Sequence, residues 1–131
     1  MVSNQILVRH AEELSQALDL RADVVEDGPH IFVIVRNAPL PLGLFQVDTS
    51  DILLIADQQY PLSAMDMFWT EVEVIKADDS IPQGADAIEH YLGRPWRRFS
   101  WHRNGIWKPT GNPLLQHYAT VEARWVKEAN R

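Results

Sequence analysis

Five bulky apolar residues in a row, Ile31-Phe32-Val33-Ile34-Val35, limit the folds open to this chain more than any other feature. Four of them are β-branched. A strand turns successive side chains to opposite faces, so an unbroken apolar run needs cover on both sides. The run therefore predicts a central strand over His30–Arg36. Ile52–Ala56 reads the same way. Trp69–Ile75 alternates instead, with Val72 and Val74 on one face and Glu71, Glu73 and Ile75 on the other, which predicts an outer or edge strand. Asp23–Glu26 is a short first strand closed by a turn at Asp27-Gly28-Pro29. Ala38-Pro39-Leu40-Pro41-Leu42-Gly43 links strands, because its prolines supply no ladder donors.

Helices flank these strands. Ala11, Leu14, Ala17 and Leu18 have the spacing of one helical stripe, predicting a helix over His10–Leu20. At the other end Asn112 is a good N-cap and Pro113 suits the first helical position. Leu114, Tyr118, Val121 and Trp125 then form a stripe fit to pack on a sheet. Residues 77–93 read as an irregular insertion, since Asp78, Asp79, Pro82, Gly84 and Gly93 are all breakers. The order of helix, strands, loop and helix predicts an α+β domain with an antiparallel meander. At 131 residues it is expected to be one domain, 1–131.

Charge is divided along the chain. Residues 1–93 carry sixteen acids and four bases, while residues 94–131 carry two acids and eight bases. Two faces of opposite sign, or a basic end packed on the protein's own acidic strands, both follow from such a split. There is no cysteine, which excludes disulfides, thiolate metal sites and thiol nucleophiles. Without a cationic start followed by an apolar run, the expected location is the cytoplasm.

The segment Arg94–Pro109 holds three of the five tryptophans and five of the twelve cations, and no carboxylate. It reads as a loop, either a packed corner or a contact surface. Among its tryptophans, Trp107 is expected in the core together with Trp125, and Trp101, between polar neighbours, is expected to be exposed. Trp and Arg are favoured anchors of protein interfaces, so Trp101 and Arg103 are candidate partner contacts.

Two ordered clusters carry a resemblance. Tyr60-Pro61, followed by Asp66-Met67-Phe68, is similar to the Tyr-Pro flap of ubiquitin-conjugating enzymes. Trp96, Phe99, Ser100 and His102, then Trp107-Lys108-Pro109, are similar to the segment around and after that fold's active site. Over residues 20–128 the pattern resembles the prokaryotic ubiquitin-conjugating-like family E. Trp101 stands where the family commonly has Arg, and Thr110-Gly111-Asn112 where it has Gly and acidic residues. The His-Pro-Asn tripeptide of the eukaryotic enzymes is missing.

The resemblance implies a ubiquitin-conjugating-enzyme-like α+β fold: N-terminal helix, meander, flap, active-site-like loop, C-terminal helix. It implies a ubiquitin-like protein and its activating enzyme as partners, in a bacterial ubiquitin-like modification system, often with a JAB-type peptidase encoded nearby. Tyr60, Asp66 and Trp107 join Trp101 and Arg103 as candidate docking residues. The position of the usual cysteine falls near Phe99 or Ser100. Without a thiol no thioester can form on this chain. Ser100 and His102 share one face of an extended backbone, which allows a serine acceptor with a histidine base, or His102 as nucleophile or stabiliser. A Ser100 bonded to backbone in a turn and a His102 capping the loop fit the same residues. Likewise Asp66 is either an orienter of that histidine or a cap on backbone N–H groups.

Other classes fit less well. Cations interleaved with aromatics over Arg94–Lys108 suit single-stranded nucleic acid, but the acidic first 93 residues oppose phosphates. The five histidines have no ligand spacing, so no metal is expected. No Gly-rich phosphate loop and no nucleophile elbow is present, and no cofactor is expected. An interaction scaffold without catalysis remains the alternative to acyl transfer.

Overall fold

The computed structural model describes residues 2–100 and 106–131. Helix α1 (Gln5–Leu18) leads into strands β1 (Ala22–Asp27), β2 (His30–Pro39), β3 (Thr49–Asp57), β4 (Phe68–Thr70), β5 (Ala87–Tyr91) and β6 (Arg94–Phe99), and helix α2 (Pro113–Ala129) follows. The strands form one antiparallel sheet in the order β1-β2-β3-β4-β6-β5. The α+β class is the one expected from the sequence, but the meander holds only from β1 to β4. Strand β4 then pairs with β6, β5 takes the edge, and the flap interrupts the strands between β3 and β4 instead of following them.

The double-sided run behaves as its pattern requires. Ile31, Val33 and Val35, with Ile52, Leu54, Ala56, Phe68 and Phe99, face a core shared with Leu7, Ala11 and Leu14 of α1 and Leu114, Tyr118, Val121 and Trp125 of α2. Phe68 and Phe99 stack with centroids 4.8 Å apart, and Trp125 meets both edge-on at 5.5 and 5.3 Å. On the opposite face Phe32, Ile34, Leu53, Trp69 and Trp96 form a second, smaller cluster. Long side chains roof it: Tyr91 lies against Phe32 and Trp69, and the Arg94 guanidinium sits 4.2 Å from the Trp96 ring centroid.

Several expectations need correction. Past a register shift between Val35 and Ala38, strand β2 continues to Pro39, with Ala38 and Pro39 paired to Ser50 and Thr49, so the link between strands starts only at Leu40. Helix α1 begins at Gln5, before His10, because the Asn4 side chain caps it by accepting the Leu7 N–H. His10 itself lies on the buried stripe. The predicted edge strand Trp69–Ile75 is only Phe68–Thr70, fully buried between β3 and β6. Beyond it, Val74 and Ile75 make turn bonds back to Glu71 and Glu73, so the alternating pattern there belongs to a turn. The insertion at 77–93 contains a strand, β5, and the supposed loop at 94–99 is its partner β6. Leu92 and Gly93 join them with φ of 55° and 75°. That pair of positive angles matches the mirror-image hairpin turn, in which glycine carries no steric cost.

Helix α2 starts where the sequence places it, with Asn112 accepting the Leu115 N–H. Its buried face also carries His117, Arg124 and Glu128. Glu128 meets Arg124, Lys76 and Arg131 in ion pairs.

Candidate functional site

Tyr60 is the hinge of the candidate site. It ends the turn after β3 and is 3% exposed, so it presents next to no surface to a partner. Its hydroxyl lies 2.7 Å from His10 Nδ1 on α1 and accepts the Leu114 N–H of α2 at 3.1 Å. Its carbonyl accepts from Asn4 Nδ2. Burial pushes the phenol pKa well up, so the group stays protonated. One side chain thereby joins both helices to the flap that begins at Pro61.

The flap is pinned twice more. Trp107 Nε1 donates to the Pro61 carbonyl at 2.7 Å, and the Trp107 ring packs edge-on against Tyr60. His117 Nε2 lies 2.9 Å from the Met67 carbonyl and its ring packs against Trp107. Trp107 is half-buried, in keeping with a packed corner. Asp66 is exposed, and its carboxylate accepts the Met67 N–H. Met65 points into the core, whereas Leu62 beside Pro61 is 73% exposed and Ile106 beside Trp107 is 84% exposed. The Trp107–Pro61 bond thus joins two segments, each of which carries a bare aliphatic residue next to the bonded one.

Ser100 follows β6 directly. Its N–H donates to the Gly84 carbonyl at 2.9 Å, and its Oγ accepts from Arg98 Nε at 3.0 Å. Gly84 has a φ of 73°, which disfavours a side chain there, and an added Cβ would make an ordinary contact with the Ser100 carbonyl oxygen at 3.4 Å. Arg98 also pairs with Glu89, and Glu89 accepts from Trp69 Nε1. A polar chain Trp69–Glu89–Arg98–Ser100 therefore crosses the sheet and ends on the serine hydroxyl. A guanidinium at that oxygen opposes attack by the neutral hydroxyl and favours an alkoxide if one forms. Trp101, His102 and Arg103 lie outside the described residues.

Sequence reasoning missed His10, Asn4, His117, Arg98 and Glu89. His10 was signalled: it shares the spacing of Leu7, Ala11 and Leu14, the stripe that faces the sheet. The Arg98–Glu89 pair had no signal, because it depends on the β5–β6 hairpin that the breaker residues disguised.

These features define an α+β sheet protein whose flap and post-strand tryptophan lock into one corner, with a serine at the end of the adjoining strand and no thiol. The family model described as prokaryotic E2 family E matches residues 7–128, and the chain belongs to that family. Membership points to a ubiquitin-conjugating-like protein with a role in a bacterial ubiquitin-like system, and in general to a ubiquitin-like protein and an activating enzyme as partners. No curated protein and no solved structure gives a significant match. Among the described residues no group of side chains could hold a metal ion, and no helix is long and apolar enough to cross a membrane.

Proposed function

We propose that this protein is a cysteine-less ubiquitin-conjugating-like domain that docks a ubiquitin-like protein and its activating enzyme at the Tyr60–Trp107 corner. The observation that carries the reading is the lock between Pro61 and Trp107, which joins the two segments that carry exposed Leu62, Ile106 and Lys108 in a family member. Tyr60 serves as the strut of this surface. Asp66, Trp107, Trp101 and Arg103 are its proposed contact residues. The ubiquitin-conjugating fold and a cytoplasmic location belong to the same proposal.

Ser100 is the residue to test as acyl acceptor. Its Oγ would attack the carbonyl carbon of the adenylated ubiquitin-like C-terminus, AMP would leave, and the serine proton would pass to His102. Arg98, at the Ser100 oxygen, would favour the anion that develops there. The nucleic-acid alternative loses support. Arg94 pairs with Asp51, Arg98 with Glu89, and Arg97 is buried on backbone carbonyls, so these cations serve the fold.

Intact mass spectrometry after incubation with ATP, the activating enzyme and the ubiquitin-like protein of the same genome tests both levels. An adduct lost in Ser100→Ala or in His102→Ala identifies the acceptor or its base. A stable complex on sizing with no adduct leaves a docking scaffold. Neither complex nor adduct would sink the reading.

A further inference from the structure

We infer that His10, Tyr60 and the first turn of α2 form a proton-operated latch that closes only while the His10 ring is neutral. The Tyr60 hydroxyl has one proton to give. Its oxygen already accepts the Leu114 N–H at 3.1 Å, and His10 Nδ1 lies 2.7 Å away. The arrangement closes when Nδ1 accepts the phenol proton, which puts the ring proton on Nε2. A protonated ring would instead aim a second donor at the same oxygen and leave the buried phenol proton without its acceptor. Both consequences, together with burial of an imidazolium, act against the closed corner.

His10 is only 4% exposed. The charged groups that act on it are Glu13 and Arg9, both on α1. Across from it are the uncharged Tyr60 of the flap and Asn112 and Leu114 of α2. Asn112 Nδ2 donates to the His10 carbonyl and to Glu13, so it occupies that carboxylate. Burial lowers the His10 pKa and Arg9 adds to this, against the opposing pull of Glu13.

The sign follows. With a folded pKa below its unfolded value of about 6.5, the open state binds more protons than the closed one below that pH. Acid therefore opens the latch. Because the Tyr60 hydroxyl is one of the ties between the flap and both helices, opening leaves the flap held by Asn4, Trp107 and His117 alone, and loosens the corner on which a partner would rest. The latch itself does not depend on which partner docks there.

The test is amide hydrogen exchange from pH 7.5 to 5.0, corrected for intrinsic rates. Leu114, whose N–H bonds Tyr60, is compared with Val33 in the central strand. The opening equilibrium at Leu114 should rise by up to roughly tenfold per pH unit below about 6.5, and more than at Val33. His10→Gln, which keeps a neutral acceptor, should abolish the rise, whereas His117→Gln should retain it. Constant protection at Leu114, or a rise that survives His10→Gln or vanishes in His117→Gln, would overturn the latch. Ring nitrogen shifts of the unaltered protein give a check that needs no variant. A neutral His10 carrying its proton on Nδ1 would equally overturn it.

Discussion

The indole N–H of Trp107 ends on the carbonyl oxygen of Pro61, forty-six residues earlier, at 2.7 Å. A residue beyond the last strand thus holds a residue before the fourth. The bond spans the two segments that carry the family pattern, so it turns a sequence resemblance into one physical corner. Trp107→Phe keeps most of the ring packing on Tyr60 and His117 but removes the donor. The expected loss is about 1 kcal/mol in urea unfolding, the usual net worth of such a bond. Flap amides should lose protection more than amides of β2. Equal loss at both would mean that the tryptophan acts only through core volume.

Arg97 is 8% exposed and sits on the helix-covered side of the sheet. Its Nε and one terminal nitrogen donate to the Val72 carbonyl, and the other terminal nitrogen to that of Ala85. Burial pushes its pKa down against the pull of Glu73 and Asp86, yet a guanidinium remains charged at any ordinary pH. One cation thereby satisfies two carbonyls in irregular chain between β4 and β5, where no ladder reaches them. Arg97→Met preserves the stem and strands both acceptors. It should cost roughly 2–4 kcal/mol, while Arg97→Lys recovers only part because it cannot fork. A loss below about 0.5 kcal/mol on urea unfolding of Arg97→Met would show that water replaces the guanidinium.

What the sequence made legible here was set by apolar periodicity. The two-sided burial of β2, the position of β3 and the stripe of α2 all follow from patterns that a single hydrophobic layer imposes. The failures share a different cause. β5 and β6 are stabilised by pairs such as Trp69–Glu89 and Arg98–Glu89, and their turn uses positive φ at Leu92, a residue that seldom marks one. His10, Arg97, Arg124 and Glu128 are polar residues inside the core, and each is buried with a partner distant in sequence or on a neighbouring turn. Periodicity assigns such residues to solvent, because the partner that makes burial tolerable is known only after folding. Tyr60 was picked out for its motif, but its role as a strut between α1 and α2 depends on where those helices lie.

Ser100→Ala should be nearly silent for stability. Among the described residues the hydroxyl accepts a hydrogen bond from Arg98, and that guanidinium keeps its pairing with Glu89. A change within about 1 kcal/mol is expected, so any loss of adduct in this variant reports on chemistry. Glu89→Ala acts on the same chain from its other end, leaving Trp69 Nε1 and Arg98 without their shared acceptor. It should cost more, about 1–3 kcal/mol. Thermal unfolding of the two variants side by side checks the order; the reverse order would place the weight of the chain on the serine.

Glu128 gives the clearest pH dependence. It is fully buried in the last turn of α2, with Arg124 Nη2 at 2.6 Å, Lys76 at 3.3 Å and Arg131 at 2.6 Å. Burial pushes its carboxyl pKa up, but the three cations outweigh burial and hold it below the ordinary value. A carboxyl depressed in the folded state contributes stability that is present above its unfolded pKa of about 4.3 and is lost as pH falls through the folded value. Stability should therefore decline below about pH 4.3 with a share owed to this residue. Glu128→Gln removes that share. It also leaves the fully buried Arg124 beside a neutral amide, at a cost of roughly 3–5 kcal/mol at neutral pH. Urea unfolding of both proteins between pH 7 and pH 3 decides it. The two stabilities should converge as the native carboxylate takes up its proton; a constant gap would mean that Glu128 acts through shape alone.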